Sequence, residues 1–468
     1  MTFRFAPLPY GWQVEKSGLL PMCVCVIHIN NVESAGLLPR GVIKSEKNSN
    51  FAVGISKNND MQRYFSHLTK HAQLGTGVFR TGAGYRALFL SLLLSAIGFG
   101  LYKGVFDNYM AEVVRMNELD RGVTEFFREI PGLLLVLILA VFYRYSAERM
   151  YKMGMVVMCA GMLLQALISP SKAMVILAVF IYSTGEHIQL GMKNTLSLEY
   201  SNEGKGGEAL GYQNSIYQIG NLLGYVAVIG AFAIVASTSL FKPTFFVAAI
   251  FMGLAMLVAF RLHGSSATDK SRSRFYFRRK FTKYYMLEVF YGARKQVFLT
   301  FGPYVLILFY GADAGLISLL FAVSAVACFL LAPVVGKIID RVGYKAVMVA
   351  DTLILVIVCF FYGFAHHLFS MHTALVVCCV NYVLDSVISL ASMASNVYVQ
   401  DISDSSEEMR ATISTGISVN HLITVFIALL GGWVWNSLGI ETLFILSAVL
   451  GLCNSAYAAT IRTSRQRQ

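Results

Sequence analysis

Charge is what this chain has least of. Only 14% of its 468 residues are Asp, Glu, Lys or Arg, whereas a soluble domain carries about a quarter. Hydrophobic residues make up 56% and the mean hydropathy is +0.60, more apolar surface than one soluble core can hide. A disulfide framework is also missing. Of the eight cysteines, Cys159, Cys328, Cys359 and Cys453 sit singly in apolar runs and Cys378 and Cys379 are adjacent. Cys23 and Cys25 lack partners at zinc-ligand spacing. There is no GxxxxGK(S/T) phosphate loop and no HExxH, so ATP hydrolysis and zinc-protease chemistry have no motif. No nucleophile–base pair or metal cluster stands out, which tells against a lipid-modifying enzyme. Neither a cofactor nor a metal is expected.

What is present is length without polarity. Between Tyr85 and Ile461 the one long polar break is Arg261 to Lys283, with Arg261, Lys270, Arg272, Arg274, Arg278, Arg279, Lys280 and Lys283 against a single acid, Asp269. On each side lies a block of about 175 residues built of apolar runs of about 20, the length a helix needs to cross roughly 30 Å of hydrocarbon. Twelve spans can be counted. The first half holds Tyr85–Met110, Gly122–Tyr143, Tyr151–Ile168, Ala173–Leu196, Ala209–Ala236 and Thr244–Phe260. The second holds Tyr284–Phe309, Ala314–Ile338, Ala346–Phe364, Ala374–Val399, Thr412–Trp435 and Thr442–Ala459.

The formal net charge of +12 does not call for nucleic acid. Its basic residues concentrate in short loops beside apolar spans, where membrane topology and anionic lipid account for them. Arg144, Arg149 and Lys152 follow the second span, the basic stretch follows the sixth, and Lys337, Arg341 and Lys345 follow the eighth. Loops at the other end, such as 169–172, 311–313 and 436–441, are short and poor in Lys and Arg. Both termini are therefore expected in the cytoplasm, the membrane being a bacterial cytoplasmic one. Residues 1–80 carry no spanning run and no clean signal-peptide cleavage site. They read as a poorly ordered cytoplasmic extension that contributes nothing to function.

The loop after the eighth span reads Gly336-Lys337-Ile338-Ile339-Asp340-Arg341-Val342-Gly343-Tyr344-Lys345. Gly336 would let helices approach closely, and Gly343 suits a tight turn. The loop resembles the signature G-x-x-x-D-R-x-G-x-R/K of the major facilitator superfamily, and the twelve spans and central basic linker extend the resemblance over Tyr85 to Ile461. The family repeats this loop between its second and third spans. Here that place keeps the acid and arginine as Glu148 and Arg149 but has lost both glycines. The proline that drug–proton antiporters of the family carry after the glycines of the fifth span is missing after Gly220 and Gly224.

The resemblance implies an all-α integral membrane protein with twelve transmembrane helices in two six-helix pseudo-symmetric bundles. The expected parts are residues 81–260 and 284–461 for the bundles, 261–283 for a basic cytoplasmic linker and 462–468 for a cytoplasmic tail.

Charges inside a bilayer usually face a cavity or one another, and helical spacing shows which act together. The first span has Lys103 and Asp107 four apart. The second has Arg121, Glu125, Arg128 and Glu129, read as a structural ion-pair network near the outer end. The fourth has Ser183, Glu186, Gln189 and Lys193 on one face, with His187 beside them. The fifth has Asn214, Gln218 and Asn221. The seventh has Glu288, Gly292 and Lys295, adjoined by Arg294 and Gln296. The tenth has Asn381, Asp385, Ser389, Ser392 and Asn396. In the superfamily the first, fourth, seventh and tenth spans line the central cavity.

Together these point to a monomeric secondary transporter rocking its halves around a central site. Its cargo is expected to be a small polar, anionic or zwitterionic solute, coupled to a proton or another cation. Glu186, Glu288, Asp107 and Asp385 are candidate proton carriers, Glu288 first, through pairing with Lys295 or Arg294. Lys103, Lys193, Arg294 and Lys295 are candidate cations for the solute, and anionic lipid is the expected neighbour of the basic linker. The competing reading is a transporter-like receptor that binds a ligand without moving it.

Overall fold

Backbone N–H and C=O groups have no water to bond within hydrocarbon, so a long apolar run must satisfy them internally as a helix. The computed structural model describes residues 77–80, 84–142, 145–202, 205–235, 237–262 and 277–461. Apart from residues 77–80, the expected N-terminal extension lies outside the described residues, as do most of the basic linker and the C-terminal tail. The described residues are helical almost throughout, with one isolated antiparallel bridge among them, Phe79 to Ser201.

Twelve helical rods follow one another. In the first half they are α1 (Tyr85–Asn108, prolonged by a π-turn Tyr109–Val113), α2 (Glu118–Val141), α3 (Ala147–Leu167), α4 (Lys172–Glu199), α5 (Gly206–Ile234) and α6 (Phe241–Ala259). The second half has α7 (Thr282–Tyr310), α8 (Ala314–Val342), α9 (Tyr344–Leu368), α10 (Met371–Ile402), α11 (Ser406–Leu438) and α12 (Ile440–Ala459). Several begin ahead of the expected apolar span because a polar residue caps them. Asn117 accepts from the Asp120 N–H while Asp120 accepts from the Asn117 N–H, a reciprocal box that starts α2 four residues before Gly122. Ser146, Ser171, Asp313, Ser370 and Ser405 each accept from a backbone N–H in the first turn of α3, α4, α8, α10 and α11.

Among the described residues, ten of these rods are long and apolar enough to cross a membrane. The two that fall short are α2 and α7, which have the length, 24 and 29 residues, but too many charges. Arg121, Glu125 and Glu129 on α2 and Arg294 on α7 are buried in the protein. The outward surface is apolar instead, with Leu137, Ile250, Leu257, Leu353 and Val380 exposed, as contact with hydrocarbon requires.

Helix packing repeats with a shift of six. In the first half α1 packs on α5 and α6, α3 on α4 and α6, and α2 on α4. In the second, α7 packs on α11 and α12, α9 on α10 and α12, and α8 on α10. The contacts joining the halves obey the same rule: α2 with α11 mirrors α5 with α8, and α1 with α8 mirrors α2 with α7. This is the internal pseudo-symmetry expected of two six-helix bundles. Where α2 meets α11 no side chain intervenes, since a Cβ on Gly122 would lie 2.5 Å from the Ala428 carbonyl oxygen and 3.0 Å from the Gly432 Cα.

Rod α10 departs from the expected continuous polar face. A 3-10 turn at Ser389–Ser392 interrupts it. Ser392 Oγ donates to the Ser389 carbonyl at 2.9 Å and Ser395 Oγ to the Ser392 carbonyl at 2.9 Å, side-chain bonds that compete with the helical ladder. Tighter winding rotates the residues beyond it. Asn381 and Asp385 are buried, whereas Asn396 faces outward.

Candidate functional site

The halves meet most closely at the end of the bundle that carries the α1–α2 and α7–α8 connections. There Asn108 Nδ2 donates to the Ala312 carbonyl at 2.7 Å, Tyr304 OH to the Met116 carbonyl at 2.7 Å, and Ser318 Oγ to the Gly104 carbonyl at 3.0 Å. Deeper in, Gln296 Nε2 donates to Glu125 Oε1 at 3.0 Å. These bonds tie the two halves together at this end.

A ladder of alternating charges runs along α1 and α2 behind these bonds. Lys103 Nζ lies 2.7 Å from Asp107 Oδ2 and also rides 5.3 Å from the centre of the Phe321 ring on α8. Arg121 Nε is 3.3 Å from Asp107 Oδ1, close enough for an ion pair but not aligned for a hydrogen bond. Arg121 Nη1 bonds Glu125 Oε2 at 2.8 Å, Arg128 Nη2 bonds Glu125 Oε1 at 2.6 Å, and Arg128 also pairs with Glu129. The last rung crosses the interface, where Glu129 Oε2 meets His421 Nδ1 at 2.9 Å and Thr424 Oγ1 at 3.1 Å, both on α11.

Below the ladder lies a cavity of about 240 Å³ at the junction of α2, α4, α5, α7 and α11. Its charged and ring-bearing walls are Arg128, Glu129, Glu186, His187, Lys193, Tyr217, Lys295 and His421, and Gln189, Gln296, Asn420 and Thr424 add neutral polar groups. Arg128 and Glu129 are committed to each other. Lys193 Nζ stands 4.2 Å from the centre of the Tyr217 ring, a cation–π contact that leaves its N–H donors for a ligand. No hydrogen bond or ion pair to a protein group is described for Glu186 or Lys295. The site thus offers two cations and one anion that make no close ion pair among the described residues, with Glu186 in the field of Arg128 and Lys193.

Four of the ten expected pathway residues are brought together here: Glu186, His187, Lys193 and Lys295. The others lie elsewhere. Lys103 and Asp107 are held in the ladder. Glu288 accepts from Ser395 Oγ at 2.9 Å and from Asn420 Nδ2 at 3.4 Å, so the expected pairing with Lys295 or Arg294 is not made. Arg294 points the other way and bonds Asp351 of α9 at 2.8 Å. Asn381 donates to the Val377 carbonyl of its own helix, and neither it nor Asp385 lines the cavity. Of α1, α4, α7 and α10, this pocket is lined by α4 and α7, and α2, α5 and α11 supply the rest of its wall.

The residues of the signature-like loop are also placed. Gly343 alone joins α8 to α9, with φ +93°, a conformation that favours glycine. Gly336 does not serve a close helix contact, because a Cβ there would meet nothing within 4 Å. Asp340 and Arg341 are exposed and Lys345 is half-buried. In the other copy Glu148 pairs with Lys152, which also donates to the Leu262 carbonyl at 2.8 Å, and Arg149 is exposed. Just beyond the undescribed linker, Lys280 bonds Asp404 at 2.6 Å and Glu408 at 3.2 Å. Hydrogen bonding to Asp404 raises the Lys280 pKa above its ordinary value.

Sequence reasoning overlooked Asn420, His421 and Thr424, whose only signal is a short polar patch at i, i+1 and i+4 within the apolar run of α11. It also overlooked Tyr217 and Asp351, and it read Arg128 and Glu129 as structural, although they line the cavity as well as completing the ladder.

Comparison with known proteins agrees with this architecture. Residues 284–468 match the family model of the Major Facilitator Superfamily. The search of curated proteins returned no match. Among solved structures, that of the nucleoside transporter NupG is 13% identical, covers 82% of this chain and 100% of its own, and superposes with a TM-score of 0.64. A POT family peptide transporter is 10% identical, with coverage of 81% and 97% and a TM-score of 0.63. A bacterial homologue of the human lysosomal transporter Spinster is 13% identical, with coverage of 80% and 95% and a TM-score of 0.58. Residues 284–468 thus carry the sequence of the major facilitator superfamily, and over four-fifths of its length the chain shares the fold of these solved transporters.

Proposed function

We propose that the chain is a proton-coupled secondary transporter for a small zwitterionic or anionic solute, working by alternating access. The observation that carries this reading is the cavity between the halves, which Glu186, Lys193 and Lys295 all line without an ion pair or hydrogen bond of their own among the described residues. Unpaired charges are costly in a membrane interior, so a site that keeps them is built for a ligand that supplies the opposite charges. A carboxylate would meet Lys295 and Lys193, and an ammonium group would meet Glu186. A nucleoside carries no charge to satisfy these groups, whereas a free amino acid or short peptide does. Glu186 is the coupling carboxylate on this reading. Arrival of the solute's carboxylate neutralises Lys193, weakens the hold on the Glu186 anion and favours its protonation.

The bundles 81–260 and 284–461 are the moving bodies, pivoting on the paired contacts α2–α11 and α5–α8. With the tied end outside, as the basic loops imply, this conformation faces inward.

Purified protein in proteoliposomes under an imposed pH gradient, given mixed amino acids, short peptides, nucleosides and carboxylic acids, tests the proposal. A zwitterionic or anionic component should accumulate only with the gradient. Glu186→Gln should abolish uphill accumulation while retaining exchange. If correctly folded protein moves no component but is thermally stabilised by one, the receptor reading replaces transport.

A further inference from the structure

We propose that Glu129, His187 and His421 form a site for a divalent transition ion of the zinc class, bridging the two halves of the molecule. No spacing in the chain announces it, because the ligands come from α2, α4 and α11 and meet only in the folded protein. Their ligand atoms lie within 4.8 Å of one another. One is a carboxylate and two are imidazoles, the donor set that zinc prefers.

Local bonding has already prepared the groups. His187 Nδ1 lies 2.9 Å from the Ser183 carbonyl oxygen, which can only accept, so Nδ1 carries the proton and Nε2 keeps its lone pair. A backbone carbonyl fixing the tautomer of a ligating histidine is the usual outer support of such sites. Glu129 divides its oxygens: Oε1 pairs with Arg128, and Oε2 faces His421 Nδ1 and Thr424. The third wall is Gly132. A Cβ there would stand 2.6 Å from His187 Nε2 and 3.0 Å from His421 Nδ1, so the absence of a side chain leaves the space in which an ion would sit. The two rings lie edge to face with centroids 5.1 Å apart.

Binding replaces one proton. His421 Nδ1 releases its hydrogen to solvent, and the ion takes the place between that nitrogen, Glu129 Oε2 and His187 Nε2. The fourth position is left to water from the cavity. Ligand atoms around tetrahedral zinc are about 3.3 Å apart for bonds of about 2.0 Å, whereas Glu129 Oε2 and His421 Nδ1 stand 2.9 Å apart, so the ion would part these two slightly as it seats against His187 Nε2. Because His421 belongs to one half and Glu129 and His187 to the other, the ion would link α11 to α2 and α4. Lys193 and Lys295 on the cavity wall oppose a dication and Glu186 favours it, which makes the site weaker than a closed structural zinc site.

Metal binding can be measured on the folded full-length chain whether or not it transports. Zn²⁺ is titrated against a chromogenic chelator, and Co²⁺ is followed through the visible absorbance of the four-coordinate ion. Wild-type protein should take up one ion that His187→Ala and His421→Gln each weaken by roughly tenfold or more. His421→Gln keeps an N–H donor for Glu129 and so guards against simple misfolding, which size-exclusion profiles check. Gly132→Ala, which fills the space without removing a ligand, should weaken the same ion. The double variant of His366 and His367, which with Glu441 form a separate cluster between α9 and α12, should leave it unchanged. Equal uptake by wild type, His187→Ala and His421→Gln would overturn the proposal, as would loss of the ion only in the His366/His367 variant.

Discussion

Arg294 shows how a buried charge can be structural while standing next to a binding site. It is 1% exposed and its only ion-pair partner among the described residues is Asp351, 7% exposed and 2.8 Å away. Removing one member leaves the other uncompensated in a low-dielectric interior, at a cost of roughly 3–5 kcal/mol. Asp351→Ala should therefore lower the thermal stability of the detergent-solubilised protein sharply. Replacing both, Arg294→Met with Asp351→Leu, should restore most of it, since two apolar groups need no partner. If the double variant is as unstable as Asp351→Ala, the pair does more than neutralise itself. The neighbouring Lys295 makes the contrast, one position on and turned into the cavity.

At the scale of single elements, two glycines in one motif have opposite roles. Gly343 holds φ +93° in the one-residue joint between α8 and α9, so Gly343→Ala should destabilise by about 1–3 kcal/mol. Gly336 lies within α8 with open space around it, so Gly336→Ala should be neutral or stabilise by up to about 1 kcal/mol. Melting temperatures of the two variants decide this, and equal losses would refute the distinction. The same contrast marks how much was legible in the sequence. A stripe on one helix is a local property, so Glu186, Gln189 and Lys193 were visible as a unit from their spacing alone. His421 was not, because its partner Glu129 stands 292 positions away and each looks ordinary in its own run. The broken face of α10 escaped for another reason: serine spacing fits an unbroken helix until the hydroxyls bond the ladder itself. The twelve rods were readable because each is set by its own apolar run. Which of them surround the cavity depends on how the bundles are rotated, and no single run encodes that.

For the molecule as a whole, the repeat of helix contacts with a shift of six makes alternate connections share an end of the bundle. Arg279, ahead of α7, and Ser169, between α3 and α4, are both exposed and belong to opposite ends. On a cysteine-free background, Ser169→Cys should react with an impermeant maleimide added to intact cells, and Arg279→Cys should react only after permeabilisation. Reaction of both from outside would break the alternation. The ladder on α1 and α2 has an electrical consequence. Lys103, Arg121 and Arg128 balance Asp107, Glu125 and Glu129, so moving the ladder through the membrane potential does no net work. A single unbalanced charge would cost or yield about 2.3 kcal/mol per 100 mV. Of the groups lining the cavity outside the ladder, Glu186, Lys193 and Lys295 remain to feel the voltage, with a sum of one positive charge when all three are ionised. A bound zwitterion leaves that charge in place and a bound monoanion cancels it, so the cell's resting potential would favour one reorientation step in the first case and ignore both in the second.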